Sequence, residues 1–242
     1  MSLVLLHARA GTLELLRYPA FSVPTLAFPA LFFLLFVAPR SDADPNLLLA
    51  SFAGFAILSV AFFQFGVGIA AERESPWERF VRTLPLPPAV RVAARLLSAA
   101  AFGLASASLV VAAALATTVA GLELARWIAL AVTLLAGAVP FALLGIALGY
   151  WVSPRAALPT ANLLYLVLSF LGALWTTPAR LPESLSAISP LVPTRQFGNV
   201  LWGAVEGRLW RPLDWLLLGL WTLVFGGLAR WGYVRDEGRR YR

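Results

Sequence analysis

The chain has 242 residues, 60% of them hydrophobic and only 13% charged, about half the charge of a water-soluble domain. Hydropathy therefore assigns residues 1–242 to a single all-α membrane domain, although the length alone would also suit soluble domains. There is no cysteine and one histidine, His7, which excludes disulfides, thiolate nucleophiles, bis-histidine haem and Cys/His metal clusters.

All 19 basic residues are arginine. Without lysine the chain cannot build the G-x-x-x-x-G-K-[ST] loop that cradles ATP phosphates. Any ATP hydrolysis that drives it must sit on another polypeptide. The net charge of +7 is what a membrane protein acquires by collecting arginine in its inner loops. It gives no reason to expect nucleic acid.

Residues 1–19 read as an amphipathic helix on the inner membrane surface. Leu3, Leu6, Leu13 and Leu16 alternate there with His7, Arg9, Glu14 and Arg17. The apolar stretch 3–6 is too short for a signal-peptide core. The first span is expected over 20–38, kinked by Pro24 and Pro29. The second covers 47–71, with Gln64 its only strongly polar side chain. A charged segment follows, and then a third span over 96–120, rich in alanine and serine, which permit close helix approach. The fourth span, 127–150, carries Pro140 and the pair Gly145/Gly149, a G-x-x-x-G. That spacing can mark a packing face.

The fifth span, 158–175, contains Asn162 and Tyr165. Residues 176–212 are too long for a turn and too polar to span. Pro178, Pro182, Pro190 and Pro193 cut this stretch into pieces. In one piece, 194–206, Phe197, Val200, Leu201, Ala204 and Val205 recur on one helical face. The region reads as short re-entrant helices in the outer leaflet. The last span covers 213–231, followed by a polar tail. About six spans result. With both ends in the cytoplasm, 13 arginines lie inside and 6 outside, as the positive-inside rule requires.

The most informative stretch joins the second and third spans. Ser75 and Glu78 form an S-x-x-E capping box, Pro76 suits the first helical position, and Pro85 stops the helix. The spacing predicts a helix over 76–84. Trp77, Phe80, Val81 and Leu84 share one face, and Glu78, Arg79 and Arg82 lie elsewhere. So short a helix is not stable alone in water. Lipid headgroups, the rest of the chain or a partner's groove must cover its apolar face.

This stretch resembles the type-2 ABC transporter permeases, the transmembrane subunits of ATP-binding-cassette exporters. Glu72-Arg73-Glu74, then Trp77-Glu78-Arg79-Phe80, then Thr83-Leu84-Pro85-Leu86 follow that family's order. Leu15-Leu16-Arg17-Tyr18-Pro19 before the first span resembles it too, as do Leu181-Pro182 and Ile188-Ser189-Pro190-Leu191 before the last. Ser75-Pro76 departs from the family, where glycine and a small residue are more usual.

The resemblance implies that loop 72–91 carries a coupling helix seated in a cleft of a separate ATPase subunit. Trp77, Phe80 and Leu84 would insert, Glu72, Glu74, Glu78 and Arg82 would bond the rim, and Arg73 and Val81 would belong to the same ATPase-coupling set. It also implies two permease copies, identical or related, with two ATPase subunits that bind the ATP and magnesium. The chain itself would bind no cofactor or metal and would not be an enzyme. It would sit in the cell membrane. The first, second and fifth spans would line the path, with Gln64, Asn162 and Tyr165 as lining candidates; inter-helix hydrogen bonding is the other reading of each.

The spans hold no acidic or basic residue except near their ends. Ion-coupled carriers and intramembrane enzymes usually place such groups at depth. Ser106, Ser108 and Ser169 have no base beside them in the sequence. An externally powered exporter of a hydrophobic or amphipathic compound, drug-like or lipid-like, fits this charge-free interior. A neutral channel, a secondary carrier and a non-transporting biogenesis scaffold stay open on the residues alone.

Overall fold

The computed structural model describes residues 3–36, 44–75, 88–176 and 178–240. Every regular element among them is helical. Helix α1 is Leu3–Leu16 and α2 is Pro19–Phe36. A single continuous stretch then runs through α3 (Pro45–Val60), a π-helical segment (Ala61–Val67) and α4 (Gly68–Glu72). Helix α5 is Pro88–Thr117, α6 Leu124–Gly137, α7 Val139–Trp151 and α8 Pro154–Leu171. After short turns come α9 (Glu183–Ser186), α10 (Pro193–Glu206) and α11 (Pro212–Arg240).

Among the described residues, four continuous stretches are long and apolar enough to cross a bilayer: Pro45–Glu72, Val92–Thr117, Leu124–Trp151 and Pro212–Glu237. Ser22–Phe36 is apolar but shorter. Helix α8 has 18 residues and is diluted by Arg155, Pro159 and Asn162. The break at Ala138 between α6 and α7 precedes Pro140. That proline has no N–H for the helix and its ring crowds the carbonyl four residues back.

The stretch 45–72 is the spine of the bundle. Every residue from Leu48 to Val60 is buried, as are Ala61, Phe62, Gln64 and Phe65. Helices α2, α5, α7, α8 and α10 all pack on it. Helix α11, by contrast, buries only a narrow stripe that includes Asp214, Leu218, Phe225 and Ala229, chiefly against α7. The large apolar residues on its other faces, such as Leu216, Leu223 and Trp231, are exposed, as lipid contact demands.

Two local features explain the tight packing around the spine. The first is the Gly145/Gly149 pair of α7. A Cβ on Gly145 would lie 2.1 Å from the Ala61 carbonyl oxygen, and one on Gly149 would lie 2.7 Å from the Ile69 Cβ. The G-x-x-x-G is thus the face on which α7 meets the π segment and α4. The second is α2, which runs through Pro24 and Pro29 as one helix. Pro29 has no N–H to offer the Thr25 carbonyl one turn back. The Ser106 hydroxyl of α5 donates to that carbonyl at 3.1 Å, and Ser59 of α3 lies 3.3 Å from it. Neighbouring serines take over the bond that proline cannot make. Ser106 therefore bonds across to another helix and not back to its own.

Helix α10 coincides with the expected helix over 194–206, and Phe197, Val200, Leu201, Ala204 and Val205 are all buried. So are Gln196, Trp202 and Gly203, which lie off that face. The helix is enclosed by α3, α6 and α11 and does not lie along the bundle surface. Phe197 wedges between the spine and α6, and a Cβ on Gly137 would stand 2.5 Å from its ring. The Trp202 indole N–H donates to Ser51 Oγ at 2.7 Å.

Candidate functional site

The spine ends at Glu72, and after segment 76–87 the described chain resumes as α5 at Pro88. Trp77, Glu78, Phe80, Val81, Arg82 and Leu84, assigned by resemblance to a docking helix, lie outside the described residues. The root of that segment is described in full. Arg73 turns back into the bundle. One guanidinium nitrogen donates to the Tyr150 carbonyl at 2.8 Å and reaches Asp236 Oδ1 at 3.1 Å. The other donates to the Val152 carbonyl at 2.8 Å. Tyr150 and Val152 close the C-terminus of α7, where a cation satisfies carbonyls that have no helical partner and opposes the helix dipole. Asp236 comes from the tail of α11. The two side chains keep only 13% and 14% exposure, so this is no solvated surface pair.

Glu72 pairs with Arg95 of α5, which closes the gap between the outgoing and returning chain. The Ser75 N–H donates to the Glu72 carbonyl at 2.8 Å. Glu74 is exposed. Of the three charged residues at this root, Arg73 is thus committed to contacts within the chain, Glu72 is paired but half-exposed, and Glu74 faces outward. Around the clamp, Trp151 bonds the Leu228 carbonyl at 3.1 Å and meets Trp231 edge-on at 4.7 Å. The Arg235 guanidinium lies 4.8 Å over the Trp151 ring.

The three residues named as lining candidates are not brought together. Gln64 is buried in the π segment, and its Nε2 donates to Ser98 Oγ of α5 at 3.2 Å. Thr12 of α1 lies 3.0 Å from the same Ser98 hydroxyl. Gln64 Oε1 is buried with no partner among the described residues. Tyr165 is fully buried, stacks on Phe55 with ring centroids 4.4 Å apart, and donates to the Phe55 carbonyl at 3.2 Å. Both residues make hydrogen bonds to another helix. Asn162 is exposed on α8, on a face shared with Leu158 and Leu163.

One polar cluster was not anticipated. At the opposite end of the bundle, Arg195 of α10 donates from Nε to Asn199 Oδ1 at 3.1 Å and from another nitrogen to Ser189 Oγ at 3.3 Å. Asn199 in turn donates to Asp214 in the first turn of α11 at 2.8 Å. Arg195 also sits 5.4 Å over the Trp202 ring. Arg126 at the start of α6 donates to the Val205 carbonyl at 3.2 Å and so caps the end of α10. The available signal was charge inside a region otherwise built of apolar and turn residues; the arginine count alone used Arg195 only to orient the chain.

A bundle of apolar helices around one buried spine, with a charged and anchored group of residues where the spine ends, is the frame of a membrane permease. Residues 45–231 match the ABC-2 family of transporter proteins, and the chain belongs to that family. It is also similar to a Bacillus subtilis (strain 168) protein named "Putative transport permease YvfS", with 23% identity over 232 residues covering 93% of each chain. The chain is a multi-pass membrane protein of the permease type.

Proposed function

We propose that this chain is the transmembrane half of an ATP-driven exporter. It crosses the membrane six times, with α1 and the tail of α11 in the cytoplasm. Two copies, or one copy and a related permease, work with two ATP-hydrolysing subunits. Those subunits bind the ATP and magnesium and grip the segment 72–91. The cargo is a hydrophobic or amphipathic compound, drug-like or lipid-like, taken from the cytoplasm or the inner leaflet and released outside by alternating access. The family assignment supports the permease role, and the charge-free spans support an energy source outside the bilayer.

The observation that carries the reading is the stiff root of the segment. A docking element transmits force only if its attachment does not yield. Glu72 and Arg73 tie that attachment to α5, α7 and α11 at once.

The test is co-expression with an ABC ATPase and capture on a tag carried by this chain. A stable complex is expected, with ATP-dependent movement of Hoechst 33342 or a fluorescent phosphatidylcholine in proteoliposomes. Failure of every ABC ATPase from the source genome to be captured removes the reading. Orientation is tested separately. The chain has no cysteine, so single-cysteine variants report cleanly. Leu209 is 97% exposed, and L209C should react with an impermeant maleimide on intact cells. E74C should react only after the membrane is opened, and the reverse pattern inverts the topology.

A further inference from the structure

Resting on the exporter reading above, we infer that Arg73 is a positioning residue that works inside the chain: it passes motion of segment 76–87 to the fourth and last membrane helices and does not itself bind the partner subunit. By sequence it belongs to a charged triplet that looks like a partner-facing rim. Its geometry is the opposite. The two terminal guanidinium nitrogens bond the Tyr150 and Val152 carbonyls and Asp236, and the ion pair is largely withdrawn from solvent.

A largely buried guanidinium with this many fixed acceptors is directional, because its planar fork meets them in one arrangement only. It therefore holds three chain segments in register: the end of the spine, the end of α7 and the tail of α11. Helix α7 is fastened to α11 again by Trp151, which bonds the Leu228 carbonyl, and to the spine by the close approach at Gly145 and Gly149. The tail of α11 has fewer attachments. Its buried stripe is narrow, and beyond Ala229 its contacts with the rest include the Trp151 and Tyr150 rings, the Arg235 guanidinium over Trp151, and Asp236. The Arg73–Asp236 bond is a direct link between the root of the docking segment and that tail.

Push the root, and α7 and the tail must follow or the clamp must break. A charged pair serves this better than an apolar contact, since a small slip leaves both groups without partners in a site that water barely reaches. Two bodies that move together give a coupling free energy between the ATPase contact and the last helix.

The experiment is hydrogen exchange on the captured complex, with and without trapping by ATP and vanadate, for the wild type, Asp236→Asn, Arg73→Gln and Arg73→Lys. In the wild type, trapping should change exchange both at residues 68–75 and at residues 228–237. In Asp236→Asn and Arg73→Gln the change at 68–75 should persist while that at 228–237 falls at least about fivefold. Arg73→Lys, which keeps the charge, should restore most of it. Asp236→Asn should retain ATPase capture and hydrolysis, since Asp236 lies outside the segment assigned to the partner contact.

Loss of capture in Arg73→Gln with a folded chain would make Arg73 a docking residue and overturn the inference. Unchanged responses at 228–237 in Asp236→Asn would overturn it too, as would a wild type whose last helix ignores trapping. Should Arg73→Gln fail to fold, Asp236→Asn decides, since it leaves both carbonyl bonds of Arg73 in place. A wild type that captures no ATPase at all refutes the exporter reading instead, a result that none of the variant outcomes can produce.

Discussion

Replacing Trp77 by aspartate should abolish capture of the ATPase subunit while leaving the bundle folded. Trp77 shares the apolar face of the expected helix over 76–84 with Phe80, Val81 and Leu84. In protein interfaces a central tryptophan is commonly worth about 2–4 kcal/mol when truncated, or about 30- to 1,000-fold in affinity. Aspartate adds the cost of pushing a carboxylate into an apolar cleft. Glu78→Gln on the same helix should do far less, since an exposed rim charge is worth about 0–1 kcal/mol.

Thermal stability of the isolated chain should stay unchanged in both variants, because on the docking reading the partner subunit, and not the bundle, covers the apolar face of this helix. Capture is read by pull-down from detergent extracts and quantified by titration of purified ATPase. A Trp77→Asp chain that still binds with wild-type affinity removes the docking role of this helix. The same test separates the helix from its root. Trp77 is expected to act on binding and Arg73 on what binding does afterwards.

The positions of the helices were legible because bilayer crossing demands long apolar runs, and such runs stand out in a chain with 13% charge. Their ends were less legible. Helix α5 begins at Pro88 and not near residue 96. Arg91 and Arg95 limit an apolar run but not a helix, and the helix continues past the apolar zone. The piece 194–206 was legible as a helix from its spacing. Periodicity shows which face is apolar but not what covers it, so the enclosure of α10 by protein on its other faces was invisible. The π segment at Ala61–Val67 has no sequence signal of its own; only the glycine pair opposite it hinted at close approach.

Proline suggested kinks in α2, and the sequence could not show that Ser106, 77 residues beyond Pro29, would supply the missing hydrogen bond. The site divided in the same way. Glu72-Arg73-Glu74 stood out as charge at the end of a span. Nothing local distinguished the inward-turning Arg73 from the outward Glu74, because Arg73's partner Asp236 lies 163 residues away. The Arg195–Asn199–Asp214 cluster was hidden for the same reason, its members being unremarkable until α10 and α11 are set side by side.

The largest effect on the fold is expected at Gly145. An added methyl there would meet the Ala61 carbonyl oxygen at 2.1 Å and the Phe65 Cβ at 3.1 Å. Overpacking a well-filled core typically costs about 1–3 kcal/mol and occasionally more. The upper end applies here, because the obstacle is backbone and no side chain can rotate away. A loss of about 3 kcal/mol lowers the melting temperature of a chain this size by roughly 6–12 °C, read by scanning fluorimetry in detergent.

Gly219→Ala is the control. Nothing lies within 4 Å of that position, and alanine is favoured over glycine within a helix by about 1 kcal/mol, so its melting temperature should hold or rise. Gly137→Ala tests the reason behind the difference. Its obstacle is the ring of Phe197 at 2.5 Å, so adding Phe197→Leu should recover part of the loss. No comparable second substitution should rescue Gly145→Ala, because the π segment presents main chain at that point. An alanine tolerated at 145 without a fall in stability would mean that α7 and the spine are not seated this closely. The register that brings Tyr150 and Val152 to Arg73 would then lose its foundation.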